Sequence, residues 1–544
     1  MEVKELPARP NLEQYKKQAK ELVKACRGGD LASIERIEAQ LPEQRNRGGR
    51  FSLAAAQFTI AREHGFESWP KFAEHIEALN RERKVATLTD PRDAFLRAAS
   101  VPRDWHASGT LEEAEAILAA HPEVGSSDIY AAAVLGDEAG VQRFLAMNRA
   151  NATAKGGPYG WDALTYLCFS RYLRLDRARS AGFVRAAKAL LDAGADANTG
   201  WMETQHDPRP TWENVIYGAA GLAQNPEMTR LLLQYGADPN DEETAYHAAE
   251  TRENAALKVL VESGRLKEKG LATILLRKTD WHDYEGLKWM LERGVNPNYR
   301  TRWGRTALHN SILRDNGIEF VEALLEHGAD PTLLTEKDQH YWKVVPARSA
   351  AALAAQRGRG DVLELFERRG ISVELTGVDG LIAACARNDK ARARAIAKKD
   401  PQLVRELLEQ GGQLLAQFAG VGNKESVERL LEMGVMVDAP SAGDAYFDVA
   451  TNSTALHSAA WRARHGTVRL LLEKGAAVNA KDGKGRTPLM LAVRACVDSY
   501  WNAQRSPESV GRLLAAGADV RGVSYPSGYA EVDELLGAHG AKPS

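Results

Sequence analysis

The phrase Leu-Leu-x-x-Gly-Ala-Asp-x-Asn recurs along this chain and constrains its fold more than any other feature. It reads LLDAGADAN at Leu190–Asn198, LLLQYGADPN at Leu231–Asn240, MLERGVNPN at Met290–Asn298, LLEHGADPT at Leu324–Thr332, LLEKGAAVN at Leu471–Asn479 and LLAAGADVR at Leu513–Arg521. Each copy ends an amphipathic helix on paired apolar residues, stops it with a glycine free to take the left-handed conformation, and opens an Asp/Asn/Pro turn. One supersecondary unit is therefore repeated, and such a unit buries its apolar face by stacking on its neighbours. A stacked solenoid follows, an architecture whose business is usually binding rather than chemistry.

The spacing agrees once insertions are allowed. Gly294 and Gly328 lie 34 residues apart, whereas Gly194–Gly236, Gly328–Gly370 and Gly475–Gly517 are each separated by 42, so those units carry extra loop. The 64 residues from Gly370 to Gly434 fit two units with a junction in Lys398–Val404, and VLVESGR at Val259–Arg265 divides the 58 residues from Gly236 to Gly294.

At its other end the unit opens a first helix with RTALHNS at Arg305–Ser311, STALHSAA at Ser453–Ala460, GRTPLMLAV at Gly485–Val493 and, more loosely, TAYHAAE at Thr244–Glu250. Threonine caps such a helix, leucine enters the core and small alanines let neighbouring first helices approach. These segments resemble the ankyrin signature Thr-Pro-Leu-His-x-Ala, and the unit spacing is close to the ankyrin period of about 33. With the Gly-Ala-Asp turns they identify the chain as a member of the ankyrin-repeat family over roughly residues 93–540. The resemblance implies an all-α solenoid of helix-turn-helix units, about ten to twelve degenerate repeats, with the signature histidine bonded back to the cap and to neighbouring loop backbone. Departures are frequent: Ala307 and Ala455 replace proline, Met490 replaces histidine, and Tyr130–Ala146 keeps the helices without the signature.

Three regions are expected: a helical leader over 1–84, the repeat array with insertions over 85–526, and a capping half-repeat over 527–544. In the leader, Leu12, Tyr15, Ala19, Leu22, Val23 and Cys26 mark one apolar helix face, Asp30 caps a second helix, Leu53–Glu63 forms a third, and Ser68-Trp69-Pro70 starts a fourth. The segment AREHGFESWPKFAEHIEAL resembles the leader that precedes ankyrin arrays in many bacterial proteins. Capping the apolar end of the array is its first expected duty and docking a partner the second.

Composition narrows the function class. A hydrophobic content of 44% and a charged content of 26% suit a folded soluble chain, and a net charge of −2 argues against a polyanion binder. No membrane span or signal region is visible, and Cys26, Cys168, Cys385 and Cys496 read as reduced core thiols of a cytoplasmic protein. The basic run Arg45–Arg50 reads as a solvated loop. His309 and His457 read as structural, and His282 and His340 as loop residues without metal-ligand spacing. Neither a catalytic residue nor a metal or other cofactor is implied, because no phosphate loop, nucleophile elbow, zinc helix or CxxC pair is present.

The ankyrin resemblance instead implies a partner protein held by turn tips and by the concave face of the first helices. In that register Arg302, Trp303 and Arg305 occupy a turn tip and Leu313 and Arg314 the concave surface. Lys484, Arg486 and Arg494 follow in a later unit, Trp461 and Arg462 in the one before it, and Trp201 and Trp342 in the long insertions. Tryptophan and arginine dominate interface energetics. The expected function is a non-catalytic, monomeric, protein-binding scaffold of a bacterial cytoplasm, without nucleic-acid or membrane partners. The alternatives are a small active site in the leader or an insertion, and an effector or defence protein acting on a foreign protein.

Overall fold

The computed structural model describes residues 3–7, 9–41, 53–101, 109–204, 210–336, 346–372, 374–497 and 505–542. Arg45–Arg50, His340 and Trp342 lie outside them. The chain divides into two compact units, Ala78–Ala347 and a unit formed by Met1–Glu77 with Arg348–Ser544.

In Ala78–Ala347 helices follow one another along the chain in successive pairs: Pro91–Ala99 and Glu112–Ala120, Ile129–Leu135 and Glu138–Met147, and Ala163–Cys168 and Ser180–Asp192. Tyr217–Leu222 with Pro226–Gln234, Glu242–Ala248 with Ala255–Glu262, Glu268–Asp280 with Tyr284–Leu291, and Ala307–Leu313 with Ile318–Glu326 continue the series. The other unit pairs Ala350–Arg357 with Gly360–Arg368, Gly377–Ala386 with Lys390–Lys399, and Gly411–Val421 with Lys424–Glu432. It adds Ala455–Trp461 with His465–Glu473 and Pro488–Val497 with Glu508–Ala515, and ends on Ala530–Ala538. The hidden junction is the helix Pro401–Glu409, whose cap Asp400 also closes the preceding helix and accepts from the Gln402 amide at 3.0 Å.

The recurring phrase has a physical reason at each letter. Its glycine takes positive φ in every copy, 95° at Gly236, 86° at Gly328, 81° at Gly475 and 87° at Gly517. Space around these four is open, so the requirement is conformational alone, and a side chain would cost about 1–2 kcal/mol. The aspartate folds the turn, Asp238 accepting from the Asn240 amide at 3.1 Å and Asp519 from that of Arg521 at 2.9 Å. The asparagine staples one turn to the next. Asn298 donates to the Gly328 carbonyl at 2.8 Å and accepts from the Asp330 amide at 2.7 Å, and Asn198 and Asn479 repeat the pair on Gly236/Asp238 and Gly517/Asp519.

The signature explains itself in the same way. Thr306 Oγ1 accepts from the His309 amide, the Thr306 amide donates to His309 Nδ1 at 3.3 Å, and His309 Nε2 donates to the Leu333 carbonyl at 2.9 Å. Thr454 and His457 do likewise, with Nε2 serving the carbonyls of Ala480 and Arg486. Where methionine replaces histidine, the Met490 sulfur accepts from the Thr487 amide at 3.4 Å. The loose copy TAYHAAE is a different arrangement, because the cap of its helix is Asp241, whose carboxylate accepts from the Thr244 amide at 2.5 Å. Thr244 is thus inside the helix and His247 is displaced from the capping role.

One insertion is not helical. Residues Gly200–Glu203 and Thr211–Asn214 pair antiparallel, with Trp201 opposite Glu213 and Met202 opposite Trp212. Strand alternation turns Trp201, Glu203 and Glu213 inward and leaves Met202 and Trp212 exposed. Gly200 is required because a Cβ there would sit 2.1 Å from the Glu213 carbonyl oxygen.

In the leader, Leu12–Arg27, Leu31–Gln40, Leu53–Glu63 and Trp69–Ala86 form the expected helices, and Asp30 caps the second by accepting from the Ser33 amide at 3.0 Å. Tyr15, Ala19, Leu22, Val23 and Cys26 pack with Ile37, Ile60, Phe72 and Ile76 in one core.

Candidate partner-binding surface

In Ala78–Ala347 the expected turn tip is real. Thr301 closes it by donating to the Arg305 carbonyl at 3.1 Å, Gly304 supplies a φ of 66°, and Arg305 is half-buried. Arg302 is exposed, lies 4.9 Å from the Trp303 ring and 5.2 Å from that of Tyr246, and pairs with Glu242 at 3.0 Å. Trp303 packs 5.8 Å from Tyr246, whose other neighbour is the Arg277 guanidinium at 4.0 Å. Both rings are half-buried. Two aromatic rings interleaved with two guanidiniums form a surface with apolar area, charge and little rotamer freedom left to lose.

Behind it runs a ladder of ion pairs across successive first helices. His247 bonds Glu243 at 3.2 Å and Glu250 at 3.0 Å. Arg277 joins Glu250 at 2.6 Å to Asp280 at 2.8 Å, and Arg314 closes on Asp280 at 2.6 Å. Asn310 adds a 3.0 Å donation to the same carboxylate. Burial works against ionising Asp280, yet Arg314 and Arg277 hold its carboxyl below the usual range. Arg314 is therefore a member of the ladder rather than an open cation.

The tryptophan of the first insertion is corrected by the structure. Trp201 is 5% exposed and packs on Trp161 at 5.4 Å and Phe169 at 5.9 Å, so the insertion spends it on a local core. Trp461 and Arg462 are corrected likewise, at 6% and 2% exposure. The Trp461 indole donates to the Phe447 carbonyl at 2.5 Å, and the Arg462 guanidinium lies 3.9 Å from the Phe447 ring. Lys484, Arg486 and Arg494 converge on one carboxylate, Asp448, at 2.6, 3.1 and 2.7 Å. Burial raises Asp448, but these cations outweigh it and hold it down at about 2. Trp342 lies outside the described residues.

Tyr246, Arg277, Phe447 and Asp448 escaped the sequence reading. Tyr246 had a visible signal, since it stands where leucine precedes the signature histidine, while the other three depend on neighbours brought together by folding.

Three buried ionisable groups, His247, His309 and Glu213, depart from their ordinary values. Burial would depress the His247 imidazole, but Glu243 and Glu250 raise it to about 9, and each ring nitrogen already faces a carboxylate. It is a cation near neutral pH, with no lone pair for a proton. Burial depresses His309 to about 4, leaving it neutral in its cap. Glu213 is wholly buried, its carboxyl oxygens meet no hydrogen-bond partner, and burial followed by the charge of Glu243 pushes it up to about 8. Among the described residues no group of three or more His, Cys, Asp or Glu is placed to hold a metal, and no helix is long and apolar enough to cross a membrane. All four cysteines are buried free thiols.

Comparison with known proteins places the repeats. The ankyrin-repeat family profile matches residues 216–335 and 381–521, in three copies. An ankyrin repeat protein of Acanthamoeba polyphaga mimivirus, L92, is 38% identical over 56 residues, 10% of this chain and 13% of that one. The potassium channel AKT1 of Oryza sativa subsp. indica is 36% identical over 87 residues, 16% of this chain and 8% of the channel. The chain thus spans only a small part of the curated relatives it matches. The ankyrin repeat domain of human ASB11 aligns with 50% of this chain and 99% of its own length at 20% identity, with a TM-score of 0.22, a likeness that carries no argument. The matched segments hold the Asn298 and Asn479 staples and the Thr–His caps described above, and the chain belongs to the ankyrin-repeat proteins, whose repeats are modules for protein–protein interaction.

Proposed function

We propose that the protein is a non-catalytic scaffold that recognises a partner protein through the turn tips and first-helix face of residues 242–314, with Trp303, Tyr246 and Arg302 as anchors. The observation that carries this reading is the half-exposed stack of Trp303 and Tyr246 interleaved with Arg302 and Arg277. Aromatic and arginine anchors of this kind dominate binding energy while contributing little to a solenoid core. The leader, residues 1–84, acts as the cap of the array and residues 527–544 as a second cap. Four buried free thiols suit a reducing, cytoplasmic setting, and a monomer suffices for the surface described.

Replacing Arg302, Trp303 and Arg305 together by alanine tests the reading. Partner capture in a crosslinking pull-down should fall at least about thirtyfold, the effect of losing one 2 kcal/mol anchor, with an unchanged melting curve. A folded triple variant that recovers the same partners at wild-type yield sinks it.

A further inference from the structure

Among the first helices of the later repeats Gly377–Ala386 carries Asp379, but the other four have a chemistry unlike those of residues 242–314. Ala350–Arg357, Gly411–Val421, Ala455–Trp461 and Pro488–Val497 contain no aspartate or glutamate, yet Arg357, Arg462 and Arg494 lie in or directly after them. Such a cationic face needs an anionic cover. The cover is supplied by an insertion: 20 residues separate Gly434 from the capping Thr454, against 12 from Gly294 to Thr306 and from Gly475 to Thr487.

The extra residues form a tight hairpin. Asp444 and Val449 exchange backbone hydrogen bonds at 2.8 and 2.9 Å, with Ala445–Asp448 at the tip. This hairpin touches all four helices. Asp444 pairs with Arg357 at 2.8 Å, and Gln413 accepts from the Ala442 amide at 2.9 Å and donates to the Gly443 carbonyl at 3.3 Å. Phe447 is buried between the guanidiniums of Arg357 and Arg462, 5.2 and 3.9 Å from its ring, while Trp461 grips its carbonyl. Asp448 gathers Arg494 together with Lys484 and Arg486. A small cavity of about 20 Å³, lined by Arg357, Gln413, Asp444, Phe447 and Arg462 among others, lies between hairpin and helices, with room for roughly one water molecule.

We propose that the face built by Arg357, Gln413, Trp461, Arg462, Arg486 and Arg494 is a binding groove for an acidic peptide segment with a central aromatic residue, and that residues 443–449 occupy it in cis as a removable stand-in. The hairpin meets a cation in or directly after three helices, Arg357, Arg462 and Arg494, and the Gln413 amide on a fourth, contacts its own turn does not require, and it presents Asp-x-x-Phe-Asp in the manner of a ligand. Tethering gives it a local concentration of about millimolar order, so a peptide in trans is excluded until the hairpin lifts. This groove is independent of the anchors at Trp303.

The test is to delete residues 442–449, restoring the 12-residue connection of the other units. A fluorescein-labelled peptide of residues 441–453 is then titrated by anisotropy against the shortened and the full chain. The shortened chain should bind it at least about tenfold more tightly than the full chain does. It should ignore the same peptide carrying Phe447→Ala and Asp448→Asn. Equal affinity of the two chains, or of the two peptides, overturns the proposal, as does a folded shortened chain that binds neither. If circular dichroism shows the deletion unfolded, the full chain carrying Phe447→Ala with Asp448→Ala takes its place. It should bind the wild-type peptide and be cut within 441–453 faster than wild type, and failure of both results overturns the proposal. The triple variant at Arg302, Trp303 and Arg305 should leave the peptide titration unchanged, which separates this test from the partner-capture experiment.

Discussion

Arg314 and Arg462 stand at the same place in two repeats, eight residues after the capping threonines Thr306 and Thr454, and are treated in opposite ways. Arg314 meets a carboxylate from the preceding first helix, Asp280, which also serves Arg277, so neutralisation passes from repeat to repeat. The first helices beside Arg462, Gly411–Val421 and Pro488–Val497, contain no aspartate or glutamate, and an inserted hairpin lays Phe447 over its guanidinium. The repeat register therefore sets where a side chain stands, and the neighbouring repeat or insertion decides what it does there. A charge neutralised by the array itself is part of the fold, whereas one covered by a loop can be uncovered.

The largest effect expected from this contrast is at Asp280. Its side chain is 8% exposed and is the shared acceptor of Arg277, Arg314 and Asn310. Asp280→Ala should cost about 3–5 kcal/mol in urea denaturation, the range for breaking one side of a buried ion pair. A loss below about 1 kcal/mol would put the ladder in the class of surface ion pairs and remove the distinction drawn here.

The same contrast explains what could be read from the sequence. The glycine stops, the stapling asparagines and the Thr306–His309 cap are local devices, satisfied by residues at fixed offsets or in the next turn, and so they leave a motif. The hidden junction near Asp400 and the leader helices were legible for the same reason. The insertions were not. Trp201 sits in loop-like sequence whether the loop hangs free or folds back, and Trp461 ends a first helix whether that face is open or covered, and only the partners Trp161, Phe169 and Phe447 settle that they are core. The hairpin at Gly200–Asn214 lacks a two-residue turn signal because its strands are separated by seven residues, so it read as loop in a helical fold. TAYHAAE misled through identity at the histidine, while the cap had moved to Asp241.

A second, smaller effect tests how this inner face tolerates a carboxyl without a partner. Glu213 has its ordinary value near 4.5 when unfolded and about 8 when folded, under burial and the charges of Glu243, Asp241 and Glu203, with His247 opposing. The folded chain thus holds a proton that the unfolded chain releases, so this group's contribution is complete below about pH 4.5 and is lost as pH rises toward 8. Between pH 5 and 6.5 the slope approaches 1.4 kcal/mol per pH unit, about 2 kcal/mol in all. His247 adds little in that window, because its own stabilisation is lost only as pH rises from 6.5 toward 9. Glu213→Gln should flatten denaturation curves across pH 5–6.5 relative to wild type, and parallel curves for the two proteins would show that Glu213 ionises without penalty.

The smallest effect belongs to the hairpin side. Asp448 gathers three cations, but its side chain is 36% exposed and Lys484 and Arg494 are more exposed still, at 59% and 42%. Solvent screens such pairs, so Asp448→Asn should cost about 0.2–1 kcal/mol rather than the several expected at Asp280. The sign with pH is opposite to that of Glu213. The folded value, about 2, lies below the ordinary 3.8, so the contribution is present above about pH 3.8 and fades as pH falls toward 2. Because the hairpin is a cover rather than a beam, the loss should be local: amide exchange within residues 441–453 should quicken while the helices His465–Glu473 and Glu508–Ala515 stay protected. If Asp448→Asn instead lowers protection throughout those helices, the hairpin is integral to the repeat stack, and the two ways of neutralising an arginine on this register are energetically the same.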